Sequence, residues 1–247
     1  MSPQPPLTDA AELAPRLAQR GWAVLDADAA CGLSGVVPSA LAGWEPHWND
    51  LPPDQHLRDG GHYRRRRHSC FVVHRQAVVQ VPHRAHWQPV DYNALHGGFE
   101  RWFEPMPPAW VQDPAWRQLL VSLAAVASRL RGLAADRPWY VEAHPFRITT
   151  EGGIGRPTPE GAHRDGVDLV VVLMVQRHNV KGGETRVFDA QGPQGMRFTL
   201  QQPWSALLLD DERVIHESTP IQNQQADAPA WRDTLVLTFR QHGFQGP

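Results

Sequence analysis

From Trp139 onward the chain reads as one short strand after another, a pattern that no helical bundle can accommodate. The segments WYVEAHPFRITT, VDLVVVLMVQ, ETRVFDA, MRFTL, SALLLDDERVIHEST and DTLVLTFR are rich in branched and aromatic residues, with turn-forming stretches such as HNVKGG and DAQGPQG between them. Strands joined in this way close up as an antiparallel sandwich or barrel. The first half reads differently. PLTDAAELAPRLAQRG is a helix, with Asp9 as its cap, Glu12 reaching back, Leu13 and Leu17 on one face and Gly21 as its stop. A short strand, WAVLDA, follows; residues 32–62 read as irregular, and YRRRRHSCFVVH can alternate as a strand. A second helix opens at Asp113 and Pro114. It carries Trp116, Leu119, Leu120, Leu123, Val126 and Leu130 at helical spacing, up to Gly132. No internal repeat is visible. The expectation is an α+β chain in which N-terminal helices buttress a jelly roll. It forms a single domain over 1–247, with 1–137 the helical and irregular buttress and 138–241 the main jelly-roll half.

Composition narrows the class. With 247 residues, 41% of them hydrophobic, the chain can bury a sizeable core and is not disordered over most of its length. No apolar run approaches the ~20 residues that span a bilayer. MSPQPPLTDA lacks the basic start and apolar stretch of a secretory signal. Cys31 and Cys70, the only cysteines, make no disulfide framework, so a reducing cytoplasm is expected. A net charge of -2 gives no reason to expect nucleic acid or a membrane as partner.

The stretch GAHRDGVDLVVVLMV sets His163 and Asp165 two residues apart, on one face if the backbone is extended. Chance placement of 13 histidines among 26 acidic residues yields about 1.4 such pairs, so the pair alone is weak evidence for a metal. A kinase catalytic loop is excluded, because Val170 stands where that loop needs asparagine and no Gly-rich loop accompanies it. Zinc-protease chemistry fails as well, because Ser218, Thr219 and Pro220 follow His216-Glu217. His216, leaving an apolar strand just before Ser-Thr-Pro, is placed for the rim of a barrel. Two histidines and a carboxylate on one face make the facial triad of non-haem Fe(II) oxygenases. The competing reading of His216 is a surface histidine at a turn. In WRDTLVLTFR, Arg232 and Thr234 face one way, and an arginine fork there matches a carboxylate bidentately. Alone, Arg232 reads better as a solvated strand start.

In order along the chain, PEGAHRDGVDLVVVLMVQRHNVKGGETRVFD, LLLDDERVIHESTPI and WRDTLVLTFR together resemble the 2-oxoglutarate/Fe(II)-dependent dioxygenases. The nearest branch is the bacterial free L-amino-acid hydroxylases of the L-isoleucine 4-hydroxylase type. The resemblance covers roughly residues 138–240; the Gly21-Trp22 start and the Arg-rich strand match more loosely. It implies a double-stranded β-helix, cupin-like, with Fe(II) on His163, Asp165 and His216 and 2-oxoglutarate on Arg232. Arg240 is the weaker anchor, and the Asp210-Asp211 turn reads as structural. The implied activity is oxidative decarboxylation of 2-oxoglutarate with O₂, coupled to hydroxylation of a small-molecule substrate.

Substrate recognition is less legible. A free amino acid needs a cation for its carboxylate, an acceptor for its ammonium and an apolar wall. In WYVEAHPFRITT, alternation puts Tyr140, Glu142 and His144 on one face and Val141, Ala143, Pro145 and Arg147 on the other. Arg147 is a candidate substrate-carboxylate partner, with a structural salt bridge as the equal alternative. Of Arg64, Arg65, Arg66 and Arg67, only two can share a face of a strand, which favours solvated or structural roles over nucleic-acid contact, with one of them reaching the active site as a further reading. Competing readings are a non-catalytic jelly roll that senses a metal or ligand, and an oxygenase of the same chemistry acting on another substrate such as nucleic acid.

Overall fold

The computed structural model describes residues 3–134, 136–226 and 228–247. In chain order the helices and strands are α1 (Leu13–Arg20), β1 (Trp22–Leu25), α2 (Ala27–Ser34), α3 (Pro38–Trp44), β2 (Arg64–Arg66), β3 (Ser69–His74), β4 (Ala77–Gln80), α4 (Pro108–Val111) and α5 (Pro114–Leu130). The strands β5 (Trp139–Thr149), β6 (Leu169–His178), β7 (Val180–Gly182), β8 (Thr185–Asp189), β9 (Gly195–Phe198), β10 (Ala206–Asp210), β11 (Val214–Ser218), β12 (Ile221–Asn223) and β13 (Trp231–Arg240) follow. The larger sheet runs β1-β10-β6-β13-β5-β3-β4, with β2 also on β5. The smaller layer is β11-β8-β9 and the pair β12-β7, and all these pairings are antiparallel. This is a jelly roll with helices on the outer face of its larger sheet.

Alternation along the central strands sorts the side chains between two layers. On β13, Leu235, Leu237 and Phe239 join Val141, Ala143, Leu169, Val171 and Leu173 in a core completed by Trp116, Leu119, Leu120 and Leu123 of α5. Each large apolar side chain buried there contributes ~1.5–3 kcal/mol. The intervening residues Arg232, Thr234, Val236 and Thr238 face the interior of the jelly roll. Between the sheets, Val170, Met174, Leu207 and Leu209 meet Val187, Phe198 and Val214.

The expected strands occur, and α5 is capped as expected: Asp113 accepts from the Ala115 N–H at 2.8 Å and Pro114 follows. Asp9 does not cap: it makes no side-chain cap bond, and a short 3-10 turn over Ala10–Glu12 leads into α1. Gly21 does end that helix, at φ 75°. Residues 32–62 are not irregular throughout. The end of α2 and all of α3 lie there, seated by Leu41 and Trp44 against Trp110 and Trp116. These helices have eight and seven residues, too few turns for apolar spacing to stand out among the prolines and glycines. Part of the loop QNQQADAPA, Asp227, lies outside the described residues.

Candidate active site

His163 and Asp165 do not sit in a regular strand. His163 makes an isolated bridge to His216 of β11, its N–H donating to the His216 carbonyl at 3.0 Å and its own carbonyl accepting in return at 2.9 Å. Asp165 follows in a loop. The two side chains converge because that loop is held by a carboxylate. Asp211, fully buried, accepts from the N–H of Asp165 (3.0 Å), Gly166 (2.7 Å) and Val167 (3.1 Å). Gly166 is required there: its φ is +74°, and a Cβ would meet the Tyr92 ring at 2.6 Å. Gln245 closes the loop from the other side, its Nε2 donating to the carbonyls of Asp165 and Gly166 at 2.9 Å each.

His163, Asp165 and His216 present ligand atoms that all lie within 4.8 Å of one another. The Nε2 atoms of both histidines stand 3.8 Å from carboxylate oxygens of Asp165. Ligands at ~2.1 Å from one ion lie about 3 Å apart when adjacent, so a small closure completes the set. His163 Nδ1 lies 3.0 Å from the Gly161 carbonyl, a bond that puts its proton on Nδ1 and leaves the Nε2 lone pair facing Asp165. Burial, then His163, push His216 down to about 3, so it stays a neutral imidazole. Burial, then the charge of Asp165, push Asp211 up to about 7 despite its three N–H donors. A cation at Asp165 relieves that repulsion.

Arg232 lines the same cavity and requires the opposite charge. It is 4% exposed, its Nε is buried with no partner, and among the described residues it forms no ion pair. Burial, then the like charge of Arg177, lower it to about 9. Thr234, buried, stands beside it on the cavity face. A ligand carboxylate would supply the charge that this fork lacks. Arg240 instead donates to the Gly243 carbonyl.

Arg147 is not brought to the cavity. It faces away and binds Asp233 through two nitrogens, at 2.8 and 2.7 Å, with its guanidinium over the Trp231 ring. Its salt-bridge alternative holds, because Arg147 shares the face of Pro145 and Ala143, and the cavity takes the face of Glu142, His144, Phe146 and Ile148. In the Arg-rich strand, Arg64 and Arg66 point inward to the cavity, while Arg67 pairs with Glu104 at 2.7 Å. Arg64 is neutralised by Asp54 at 2.7 Å.

A second convergent group, His68, His86, Glu142 and His144, is buried beyond the triad. Glu142 lies 2.9 Å from His68 Nε2 and 2.7 Å from His86 Nδ1, and Arg66 donates to His144 Nδ1 at 2.6 Å. Burial lowers all three imidazoles, and Glu142 stays ionised because His86 and the two hydrogen bonds outweigh its own burial. Glu142 and Arg66 already engage one nitrogen of each imidazole, although His68 Nδ1 is buried with no partner, and the guanidinium bound to His144 opposes a divalent ion there. Among the described residues no arginine bonds to a side chain of the triad. Alternation in WYVEAHPFRITT showed that Glu142 and His144 share a face. Alternation in YRRRRHSCFVVH likewise puts His68 on the face of Arg64 and Arg66, whereas His86, Gln88 and Arg101 lie in irregular segments, where spacing carries no signal.

The profile of the 2OG-Fe dioxygenase family matches residues 45–238. The 3(1)-hydroxy-L-isoleucine 4-dioxygenase of Pantoea ananatis is 22% identical over 157 residues, covering 63% of this chain and 63% of that protein, so the match spans less than two thirds of the relative's length. The crystal structure of a bsmA homolog from Methylobium petroleophilum is 55% identical, with a TM-score of 0.92 over 98% of this chain and 96% of that one. IDO from Bacillus thuringiensis shares the fold at 16% identity, with a TM-score of 0.76 over 95% of this chain and 100% of that one.

Proposed function

The chain belongs to the 2OG-Fe dioxygenase family, and on that premise we propose that His163, Asp165 and His216 ligate its Fe(II), that Arg232 and Thr234 hold its 2-oxoglutarate, and that it hydroxylates a free aliphatic L-amino acid. The enzyme uses Fe(II), 2-oxoglutarate and O₂. When bound, the iron supplies oxidation of an unactivated C–H bond, driven by decarboxylation of 2-oxoglutarate to succinate and CO₂. The chain's own residues orient and exclude. Gly161 fixes the His163 tautomer, Asp211 and Gln245 hold the loop bearing Asp165, and Arg232 receives the distal carboxylate of the cosubstrate. Val167, Val172 and Val236 give the cavity an apolar wall.

The observation that carries this reading is the pairing, in one cavity, of a two-histidine, one-carboxylate set with a buried arginine that lacks an anion. A non-catalytic sensor has no need of that anchor beside the metal ligands. The amino-acid substrate is supported by the name of the Pantoea ananatis relative, and by a cavity lined by charged groups and valines rather than an open basic groove. We read 1–247 as one domain acting on a small molecule, without nucleic acid. Both cysteines are free, as suits the cytoplasm, and no helix among the described residues is long and apolar enough to cross a membrane.

The test is anaerobic addition of Fe(II) and 2-oxoglutarate, followed by air and a panel of free amino acids, reading succinate and substrate mass. His163→Ala and His216→Ala should abolish the weak visible charge-transfer band of the anaerobic complex while circular dichroism shows the fold intact. Retention of the band and of turnover in both variants would refute the ligand assignment. Stimulation by alkylated nucleic acid and by no amino acid would overturn the substrate reading and leave the chemistry standing.

A further inference from the structure

Two buried charged groups in the cavity remain without work. Arg101 is 2% exposed, and its Nε is buried with no partner. It donates to Gln88 Oε1 at 2.8 Å and, among the described residues, pairs with no carboxylate. Glu160 is the converse: its side chain is 10% exposed, its Oε2 is buried with no donor, and its Oε1 stands 3.6 Å from His163 Nε2. Both line the cavity. A buried guanidinium with unmade N–H bonds and a buried carboxylate oxygen with no donor each carry an unrecovered desolvation cost.

Arg101 and Glu160 lie in each other's field and Glu160 in that of His163, but no neighbour closes a hydrogen-bonded ion pair with either. Arg64 is matched by Asp54, and Glu142 takes its hydrogen bonds from His68 and His86. Arg66 is sandwiched over Phe103 at 3.9 Å and Phe146 at 4.4 Å and spends a nitrogen on His144. Asp54, Glu160 and Glu142 all act on Arg101 through space, but none hydrogen-bonds it, so its buried Nε–H remains unmet. Arg232 cannot serve here. It is level with Ile148 while Glu142 is level with Thr238, about 20 Å along the strand at 3.3 Å per residue. Gln88 links this end to the triad, donating to Asp165 Oδ1 at 3.1 Å while accepting from Arg101.

We propose that Arg101 and Glu160 form a zwitterion site, Arg101 taking the α-carboxylate and Glu160 the α-ammonium of the substrate, so that the cavity selects a free α-amino acid over the same residue inside a peptide. This rests on the reading of His163, Asp165 and His216 as the iron site and of a free amino acid as substrate. The substrate's side chain then lies along Val167, Val172 and Val236. An internal peptide residue offers neither charge and leaves both groups buried and unpaired, a larger discrimination than any apolar contact supplies.

Calorimetry on the anaerobic protein loaded with Fe(II) and 2-oxoglutarate tests this with three probes: L-isoleucine, L-isoleucinamide, which lacks the carboxylate, and 3-methylpentanoate, which lacks the ammonium. Wild type should bind L-isoleucine on the order of 100-fold more tightly than either analogue. Arg101→Met should cost L-isoleucine a similar factor and leave L-isoleucinamide unchanged, with Arg101→Lys recovering part. Glu160→Gln should weaken L-isoleucine and L-isoleucinamide and spare 3-methylpentanoate. 2-Oxoglutarate and iron affinities should hold in all three variants. Equal binding of the three probes by wild type overturns the proposal even where a variant fails to fold. So does a variant that weakens all three probes equally, or one that loses iron or 2-oxoglutarate. If wild type prefers L-isoleucine and the variants match it, the subsite alone falls and the substrate reading stands. If wild type binds 2-oxoglutarate but none of the probes, the amino-acid reading falls with it.

Discussion

Arg232→Met should make the free protein more stable and the cosubstrate-bound protein far harder to reach. The fall of the Arg232 guanidinium from its ordinary value to about 9 corresponds, at 1.36 kcal/mol per pKa unit, to roughly 5 kcal/mol for holding its charge in place. The group is charged at pH 7 both folded and unfolded, so the whole cost is present there and is relieved only as pH rises through about 9. Methionine keeps most of the apolar stem and removes the charge. Replacing buried ionic groups by packed apolar ones has gained about 1–4 kcal/mol elsewhere, and ~1 kcal/mol moves the melting temperature of a domain this size by about 2–4 °C. A rise of roughly 5 °C in the melting temperature of the free protein is expected. In the same variant the distal carboxylate of 2-oxoglutarate loses its partner, at ~3–5 kcal/mol, or two to three orders of magnitude in affinity. Thermal unfolding by circular dichroism with and without 2-oxoglutarate, beside anaerobic calorimetry, reads both effects. If Arg232→Met melts lower than wild type and 2-oxoglutarate still stabilises it, Arg232 is a structural residue and the anchor lies elsewhere, with Arg240→Ala the next variant to measure.

Asp211→Ala removes the acceptor for three N–H groups of the loop bearing Asp165 and should lower iron affinity about 10–100-fold, as loss of a group supporting a metal ligand does; unchanged affinity by anaerobic titration would contradict its positioning role. Arg147→Ala strands the buried Asp233 carboxylate and should cost about 3 kcal/mol in a urea melt while 2-oxoglutarate affinity stays put. A loss of 2-oxoglutarate or substrate binding with full stability would return Arg147 to the site. Burial raises the Asp54 carboxyl, but Arg64 and Arg66 outweigh it and hold it below its ordinary range. Its contribution is thus complete above about pH 4 and is lost as pH falls through the folded value. Asp54→Asn should flatten the acid side of the stability curve, and an identical acid limb would show that the pair contributes nothing.

Strand periodicity made much of this legible. WRDTLVLTFR alternates cleanly, so Arg232 and Thr234 share a face with Val236 and Thr238, and the structure turns that face to the cavity. A period of two separates faces but does not label them. Arg147 was therefore separable from Glu142 and His144 in the sequence, while which group met the cavity depended on where α5 packs. The triad shows the opposite case. The spacing of His163 and Asp165 suggested a strand, yet a loop tied to Asp211 brings them together, and nothing local in an Asp-Asp turn distinguishes a carboxylate that accepts three amides from one in water. Arg101, Gln88 and Glu160 stand in irregular segments, and their unmet hydrogen bonds exist only once distant parts of the chain surround them.

A cavity with Arg232 short of an anion and Asp165 and Asp211 short of a cation is completed by its own reactants. Anything that binds the folded chain alone stabilises it, by about 2.7 kcal/mol at one hundred times its dissociation constant. Iron and 2-oxoglutarate would thus act as protectants as well as reagents. Inside a cell the empty form opens more often to proteases than the loaded one. The lifetime of the enzyme, and so its abundance at constant synthesis, would rise and fall with the supply of the two small molecules it consumes or carries.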